Sequence, residues 1–523
     1  MVSWTPAASE TPPPALNCGG ERPPIPKPRT RGSLSPDRGG LKPDPIQPES
    51  RGLFEKVEIV FFLAVAVACV LTLLHVAFMV PLPYQFNFAE GPLLGVGVRV
   101  AQGLSAYPPA TELPYIMSPY GPLPYYLAGL CVKYYGVSLS APRLLVFVSG
   151  IWCAAMIALL LRHWGGTWPV SLGFGLLYLS RPVVESWLPV FRVDLIGLAL
   201  SLTGFYFFAK ARRWYLSIPF FVAGLFCKFF LISGPLACFL YAVFRKEIRK
   251  ASWFAAGNIA LGGLAFLWAQ HQTSGWFAFH TIWINAGHSF FWSRTVEMFQ
   301  GVLPGDYFLL VLALALAYFL RSRPELSLPL TYLGLSFLTC IAVGKRGSDL
   351  NYFLEWQAAL CLCAGLAYQI LRAQSDRGRL VYALLPAALG AMVLVTLSAP
   401  KPNPEIDSGC RELYALVRNY PSRRILSENT AAVVLAGKSS PVFEPFLWTR
   451  EVVDKGWPAT EVVNLIRSHQ IDLIVLGSPA RRTIFQERWP NSVEEEIERN
   501  YKLLHAFSCP DATFVYRPAR VLR

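Results

Sequence analysis

Long apolar runs separated by short polar clusters set the pattern of this chain. The run from Val57 to Val80 follows Glu55 and Lys56 and is long enough to span a bilayer, which needs about 20 apolar residues. Further apolar runs cover 119–137, 141–161, 168–181, 194–209, 214–227, 229–244, 252–271, 303–320, 326–343, 352–371 and 380–398. Residues 1–52 are instead rich in Pro, Gly, Ser and charge, which predicts a disordered cytoplasmic tail. After residue 400 the pattern changes again. AAVVLAG and DLIVLGS read as strands and EVVNLIRSHQ as a helix, predicting a small α/β domain over 401–523.

Loop charges orient the runs. Arg162, then Lys210 with Arg212 and Arg213, then Arg245 to Lys250, then Arg321 and Arg323, then Arg372 to Arg379 all face the cytoplasm if the chain crosses twice between clusters. The same parity leaves Ser118–Tyr135 as a surplus segment, whose prolines and tyrosines suit an interfacial or re-entrant helix. The expected fold class is an all-α polytopic membrane protein of eleven spans over 53–400, with a first outer loop at 81–140 and a small C-terminal α/β domain. The N-terminus lies in the cytoplasm and the C-terminus outside the cytoplasmic membrane. Cys410 and Cys509 would then sit on the oxidising side, where a disulfide can form.

Composition agrees with a membrane chain. Of 523 residues, 54% are hydrophobic and 15% charged, against about 25% charged in soluble domains. The net charge of +14 taken alone suggests nucleic acid, but the cations cluster between apolar runs, so the expected partner is the bilayer and no nucleic acid.

Ionisable groups near hydrocarbon are costly unless something offsets that cost. The informative charges are therefore those on the outer face, against the positive-inside pattern: Arg143, Arg192, Lys228, Lys345 and Arg346, with carboxylates including Glu90 and Asp194. Such cations suit an anionic ligand, because Arg and Lys complement phosphate oxygens. Each can instead snorkel or pair with a neighbouring carboxylate.

The first outer loop opens with QFNFAEGPLLGVGVRVAQGLSAYPP and closes with MSPYGPLPYYL. Glu90 with Gly91, the Pro119–Pro124 helix start, Arg143-Leu144, Arg192-Val193-Asp194, the Lys228 segment GLFCKF and the late loop GKRGSDLNYFLEWQ follow one another in an order that resembles GT-C membrane glycosyltransferases. The likeness is to bacterial relatives of protein O-mannosyltransferases and lipid A aminoarabinose transferases. The resemblance implies Glu90 as catalytic base and Arg143, Arg192, Lys228, Lys345 and Arg346 as donor-phosphate ligands, with Asp194 and Tyr120 positioning substrate. It also implies a polyprenyl-phosphate-linked sugar donor and a glycan, lipid or protein acceptor. One departure stands out, since the family pattern has Asp before the Glu and this chain has Ala89.

His280 and His288 lie among Trp276, Trp283 and Trp292. They fit either sugar or acceptor contact or an interfacial aromatic belt, the second being the commoner outcome. No D-x-D triplet, CxxC pair or HExxH occurs, so no cofactor is expected, and a divalent metal is left open. Two other classes remain compatible: a secondary transporter or lipid flippase, although no internal repeat is visible, and an inactive relative acting as an envelope scaffold, which Ala89 would suit.

Overall fold

The computed structural model describes residues 48–373, 386–390, 405–421, 424–477, 488–509 and 511–519. The tail expected at 1–52 lies outside these residues up to position 47, as does most of the run at 380–398. Every other apolar run forms helix. The first helix, Pro48–Met79, starts a little earlier than its hydropathy suggests, so residues 48–52 belong to it rather than to the tail.

Among the described residues, five helices are long and apolar enough to cross a membrane: Lys56–Met79, Ser140–His163, Ile248–Gln272, Pro324–Gly344 and Leu350–Ala373. Trp292–Gly305 and Tyr307–Arg321 form a pair bent by 80°. Trp168–Leu179, Asp194–Ala209, Trp214–Leu225 and Ser233–Phe244 are shorter. Among the described residues five helices, or six if the bent pair is one span, thus have the length and composition of a full crossing. The eleven spans expected from the sequence also count runs that form shorter helices and the run at 380–398, most of which lies outside the described residues. The runs expected at 214–227 and 229–244 form two of the shorter helices, separated by the turn that carries Lys228, between Leu225 and Ser233.

The outward surface of these helices is apolar. Ile59, Leu63, Leu74 and Phe78 on the first helix and Trp253, Ile259, Leu264 and Leu267 on Ile248–Gln272 are exposed, the arrangement lipid rather than water favours. Leu350–Ala373 is the opposite, almost wholly buried at the centre of the bundle. Helix Pro122–Tyr135 has 14 residues and is about 21 Å long, short of the roughly 30 Å hydrocarbon core.

Beyond the bundle, a four-stranded sheet runs in the order β1 (Ile425–Ser427), β2 (Leu473–Leu476), β4 (Asp511–Pro518), β3 (Tyr501–Cys509). β1 and β2 are parallel and the remaining pairs antiparallel. Helices Glu405–Asn419, Thr430–Leu435, Pro445–Lys455, Thr460–Arg467 and Asn491–Asn500 accompany the sheet, as the alternating pattern leads one to expect. AAVVLAG is not a strand, however. The Asn429 side chain accepts the Ala432 N–H at 3.3 Å and so starts helix Thr430–Leu435, and the strand falls just before it. Cys410 and Cys509 form a disulfide.

This part packs against the first outer loop. Tyr115 N–H donates to Pro441 O at 2.8 Å, and Phe443 N–H to Tyr115 O at 3.0 Å. A Cβ at Gly91 would collide with the backbone of Thr430 and Ala431, so glycine is what lets helix Glu90–Ala101 come this close. The residues just after Phe443 are thereby delivered to the end of the bundle that carries the 81–140 loop.

Candidate functional site

At that end lies a cavity of about 110 Å³. Phe88, Ala89 and Tyr120 from the first outer loop, Arg192, Lys228, His288, Lys345, Arg346 and Glu444 are among its lining residues. The sequence-predicted cations Arg192, Lys228, Lys345 and Arg346 thus converge, and Tyr120 and His288 join them.

Each side chain is held by a specific neighbour. Arg192 precedes helix Asp194–Ala209 and donates through Nη1 to Asn87 Oδ1 at 2.9 Å. Its guanidinium lies 5.2 Å from the Trp187 ring centre and 5.7 Å from that of Tyr120, within cation–π range. Lys228 Nζ donates to Asp194 Oδ1 at 2.5 Å and stands 4.3 Å over the Tyr352 ring. Asn351 Nδ2 donates to the same Asp194 oxygen at 2.8 Å. Asp194 is the first residue of its helix, where the macrodipole favours a carboxylate. Asp194 therefore orients Lys228 from beside the cavity and is not among the lining residues.

The loops on the other side are fastened together. Lys345 Nζ donates to the Asn285 carbonyl and Arg346 N–H to Ser289 O at 2.9 Å. Burial pulls the Lys345 ammonium below its usual value. His288 Nε2 lies 2.8 Å from Ile284 O. A carbonyl only accepts, so Nε2 carries the hydrogen and Nδ1 holds the lone pair. Nδ1 is buried without a hydrogen-bond partner, and the ring stacks on Phe446 at 5.9 Å and 17°. Burial, aided by Lys345 and Lys455, pushes the imidazole below its ordinary range.

Glu444 was not legible as a site residue. It is 5% exposed and precedes Pro445 at the start of helix Pro445–Lys455, where its Oε2 accepts the Leu447 N–H at 2.6 Å. Burial raises its carboxyl above the usual carboxylate range, with Leu447 N–H, Arg488 and Arg192 pulling the other way. A Glu-Pro pair at a helix start was the available signal, but it carries no chemistry by itself.

Three expected residues are elsewhere. Glu90 is fully buried and both its oxygens are engaged. Oε1 accepts Arg143 Nε at 2.8 Å and Phe191 N–H at 2.7 Å; Oε2 accepts Arg143 Nη2 at 2.8 Å and Phe86 N–H at 2.6 Å. Neither Glu90 nor Arg143 lines the cavity, whereas Ala89, at the position where the family pattern has Asp, does. Arg143, expected as a phosphate ligand, is here the partner of Glu90, and its other nitrogen bonds go to the Leu82 and Tyr84 carbonyls. His280 is also fully buried, with Nδ1 accepting Ser118 N–H at 3.1 Å and Nε2 2.8 Å from Pro108 O. It ties the outer loop together, and burial lowers it to about 4. Among the described residues no group of three His, Cys, Asp or Glu is arranged to hold a metal ion.

No family model matches the chain, and no curated protein matches its sequence. Among solved structures the fold is similar to ArnT from Cupriavidus metallidurans bound to undecaprenyl phosphate. The TM-score is 0.55 at 12% identity, over 88% of this chain and 98% of that one. It is similar too to the apo oligosaccharyltransferase of Archaeoglobus fulgidus, with a TM-score of 0.52 at 12% identity over 90% of this chain and 75% of that one. This chain has a GT-C-like fold. At 12% identity the likeness is one of architecture, and it extends across the bundle and well into the segment beyond residue 400. The cationic cavity of the GT-C-like bundle lies where helix ends, the 81–140 and 272–301 loops and that segment meet.

Proposed function

We propose that this chain is a membrane glycosyltransferase that moves a sugar from a polyprenyl-phosphate carrier to a glycan, lipid or protein acceptor on the extracytoplasmic face of the cytoplasmic membrane. The observation that carries the reading is the convergence of Arg192, Lys228, Lys345 and Arg346 on one cavity, where cations outnumber carboxylates. A desolvated phosphate suits such a site, since charge-assisted hydrogen bonds strengthen away from water. The likeness of fold to ArnT, solved bound to undecaprenyl phosphate, supports the same donor class. The disulfide between Cys410 and Cys509 supports an outer location for the segment after residue 400.

In this reading the acceptor oxygen attacks the anomeric carbon in a single inverting displacement while the bond to phosphate breaks. The departing phosphate gains negative charge, which Arg192, Lys228, Lys345 and Arg346 stabilise where it develops. Tyr120 borders the same space and Asp194 keeps Lys228 in place. Glu90 acts at one remove. Through Arg143 and the Phe191 N–H it fastens the first outer loop to the segment leading into Arg192.

The test is transfer of labelled sugar from undecaprenyl phosphate by the purified chain in detergent, with membranes lacking the chain as the acceptor source. Transfer that Arg192→Ala abolishes supports the reading. Uptake or flipping of undecaprenyl phosphate in vesicles without transfer would replace it with a transporter.

A further inference from the structure

A transfer of this kind needs a group inside the cavity to take the acceptor proton, and the described lining residues include a single carboxylate, Glu444. We infer that Glu444 is the general base, so that the segment after residue 400 supplies a catalytic residue rather than only a cover. This rests on the transferase reading above.

Three observations support it. First, one oxygen of Glu444 is fixed by the Leu447 N–H and the other accepts no hydrogen bond among the described residues, so an oxygen is held in place for an incoming hydroxyl. Second, the other nearby carboxylates are ion-paired and do not line the cavity. Asp194 holds Lys228 and Asn351 through Oδ1 and lies 3.7 Å from Arg192 Nε through Oδ2, and Glu90 holds Arg143. Third, the alternative base, the His288 Nδ1 lone pair, faces an electrostatic penalty. Protonating an imidazole adds a cation beside Lys345 and Lys455, whereas protonating a buried carboxylate removes a charge that burial disfavours.

The step balances without a further reagent. The acceptor oxygen bonds to the anomeric carbon as that carbon's bond to the phosphate oxygen breaks. The bonding pair leaves with the phosphate, which becomes a monoester with one more negative charge, and the hydroxyl proton passes to Glu444 and then to water.

The test compares Glu444→Gln and Glu444→Asp in the full chain, reading sugar transfer from undecaprenyl phosphate alongside binding of undecaprenyl phosphate itself. The Gln amide oxygen can still accept the Leu447 N–H, so the helix start is preserved. Turnover in Glu444→Gln is expected to fall by roughly 10²- to 10⁴-fold, the usual contribution of a positioned base. Binding should be retained or tightened, because a negative charge leaves a site that holds an anion. Glu444→Asp should recover part of the rate. Near-normal turnover in Glu444→Gln, or loss of binding together with turnover, overturns the assignment and leaves the transferase reading standing. A wild-type chain that neither binds undecaprenyl phosphate nor transfers sugar overturns both.

Discussion

Arg143 closes a two-point fork on Glu90, with Nε and Nη2 each 2.8 Å from a carboxylate oxygen and both side chains fully buried. The pair joins the start of helix Ser140–His163 to the 81–140 loop, and the guanidinium also lies 4.1 Å over the Phe86 ring. Removing one partner strands a buried charge, at a cost of about 3–5 kcal/mol. Glu90→Ala and Arg143→Ala are each expected to lower the thermal midpoint and the yield of folded protein in detergent. Glu90→Gln that melts like the wild type yet loses transfer would instead make Glu90 the base.

Arg192 and Lys345 approach the cavity from opposite loops. Arg192→Ala and Lys345→Ala should each weaken undecaprenyl phosphate binding by about 10- to 100-fold, the equivalent of one charged hydrogen bond at 1.5–3 kcal/mol. Arg192→Lys should recover binding only in part, because the planar fork is lost. A titration of undecaprenyl phosphate by ligand-induced thermal shift reads these differences, and unchanged affinity in both variants would remove the cations from the site.

The disulfide gives a test of compartment. In the unfolded chain, alkylation of Cys410 and Cys509 is expected only after reduction. Cys410→Ala with Cys509→Ala should destabilise the outer segment by about 2–5 kcal/mol. Full alkylation without reductant would contradict the outer location.

Glu444 gives transfer an acid limb. Burial raises its carboxyl, and Leu447 N–H, Arg488 and Arg192 oppose that shift without cancelling it, while Tyr120 and Tyr125 also lie within its field. As pH falls through this raised value the base is protonated and the rate drops, at a higher pH than an ordinary carboxylate would give. Glu444→Gln should remove that limb from the kcat profile. A profile with the same acid limb in the variant would assign it to another group.

The sequence was most informative where charge contrasted with hydrocarbon. Arg192, Lys228, Lys345 and Arg346 stood out because each lies beside an apolar run on the face that the loop charges assign to the outside, where the positive-inside pattern disfavours it, and the fold gathers all of them. Glu444 had no such contrast, since a carboxylate in a water-exposed domain is ordinary until the packing of Tyr115 on Pro441 and Phe443 carries it to the cavity. Glu90 shows a related limit of sequence pattern. Pattern marks the segment, but only the backbone decides that Ala89 meets the cavity while Glu90 turns to Arg143. AAVVLAG has the β-branched content of a strand, and a single Asn429 cap turns it to helix.

The most direct measurement is a structure of the chain with undecaprenyl phosphate bound. The expected result is phosphate density in the cavity within hydrogen-bond reach of Arg192 and Lys228, on the side shared with Lys345 and Arg346, with Glu444 facing the open space beside it. Phosphate bound away from these residues, with the cavity empty, would contradict the account.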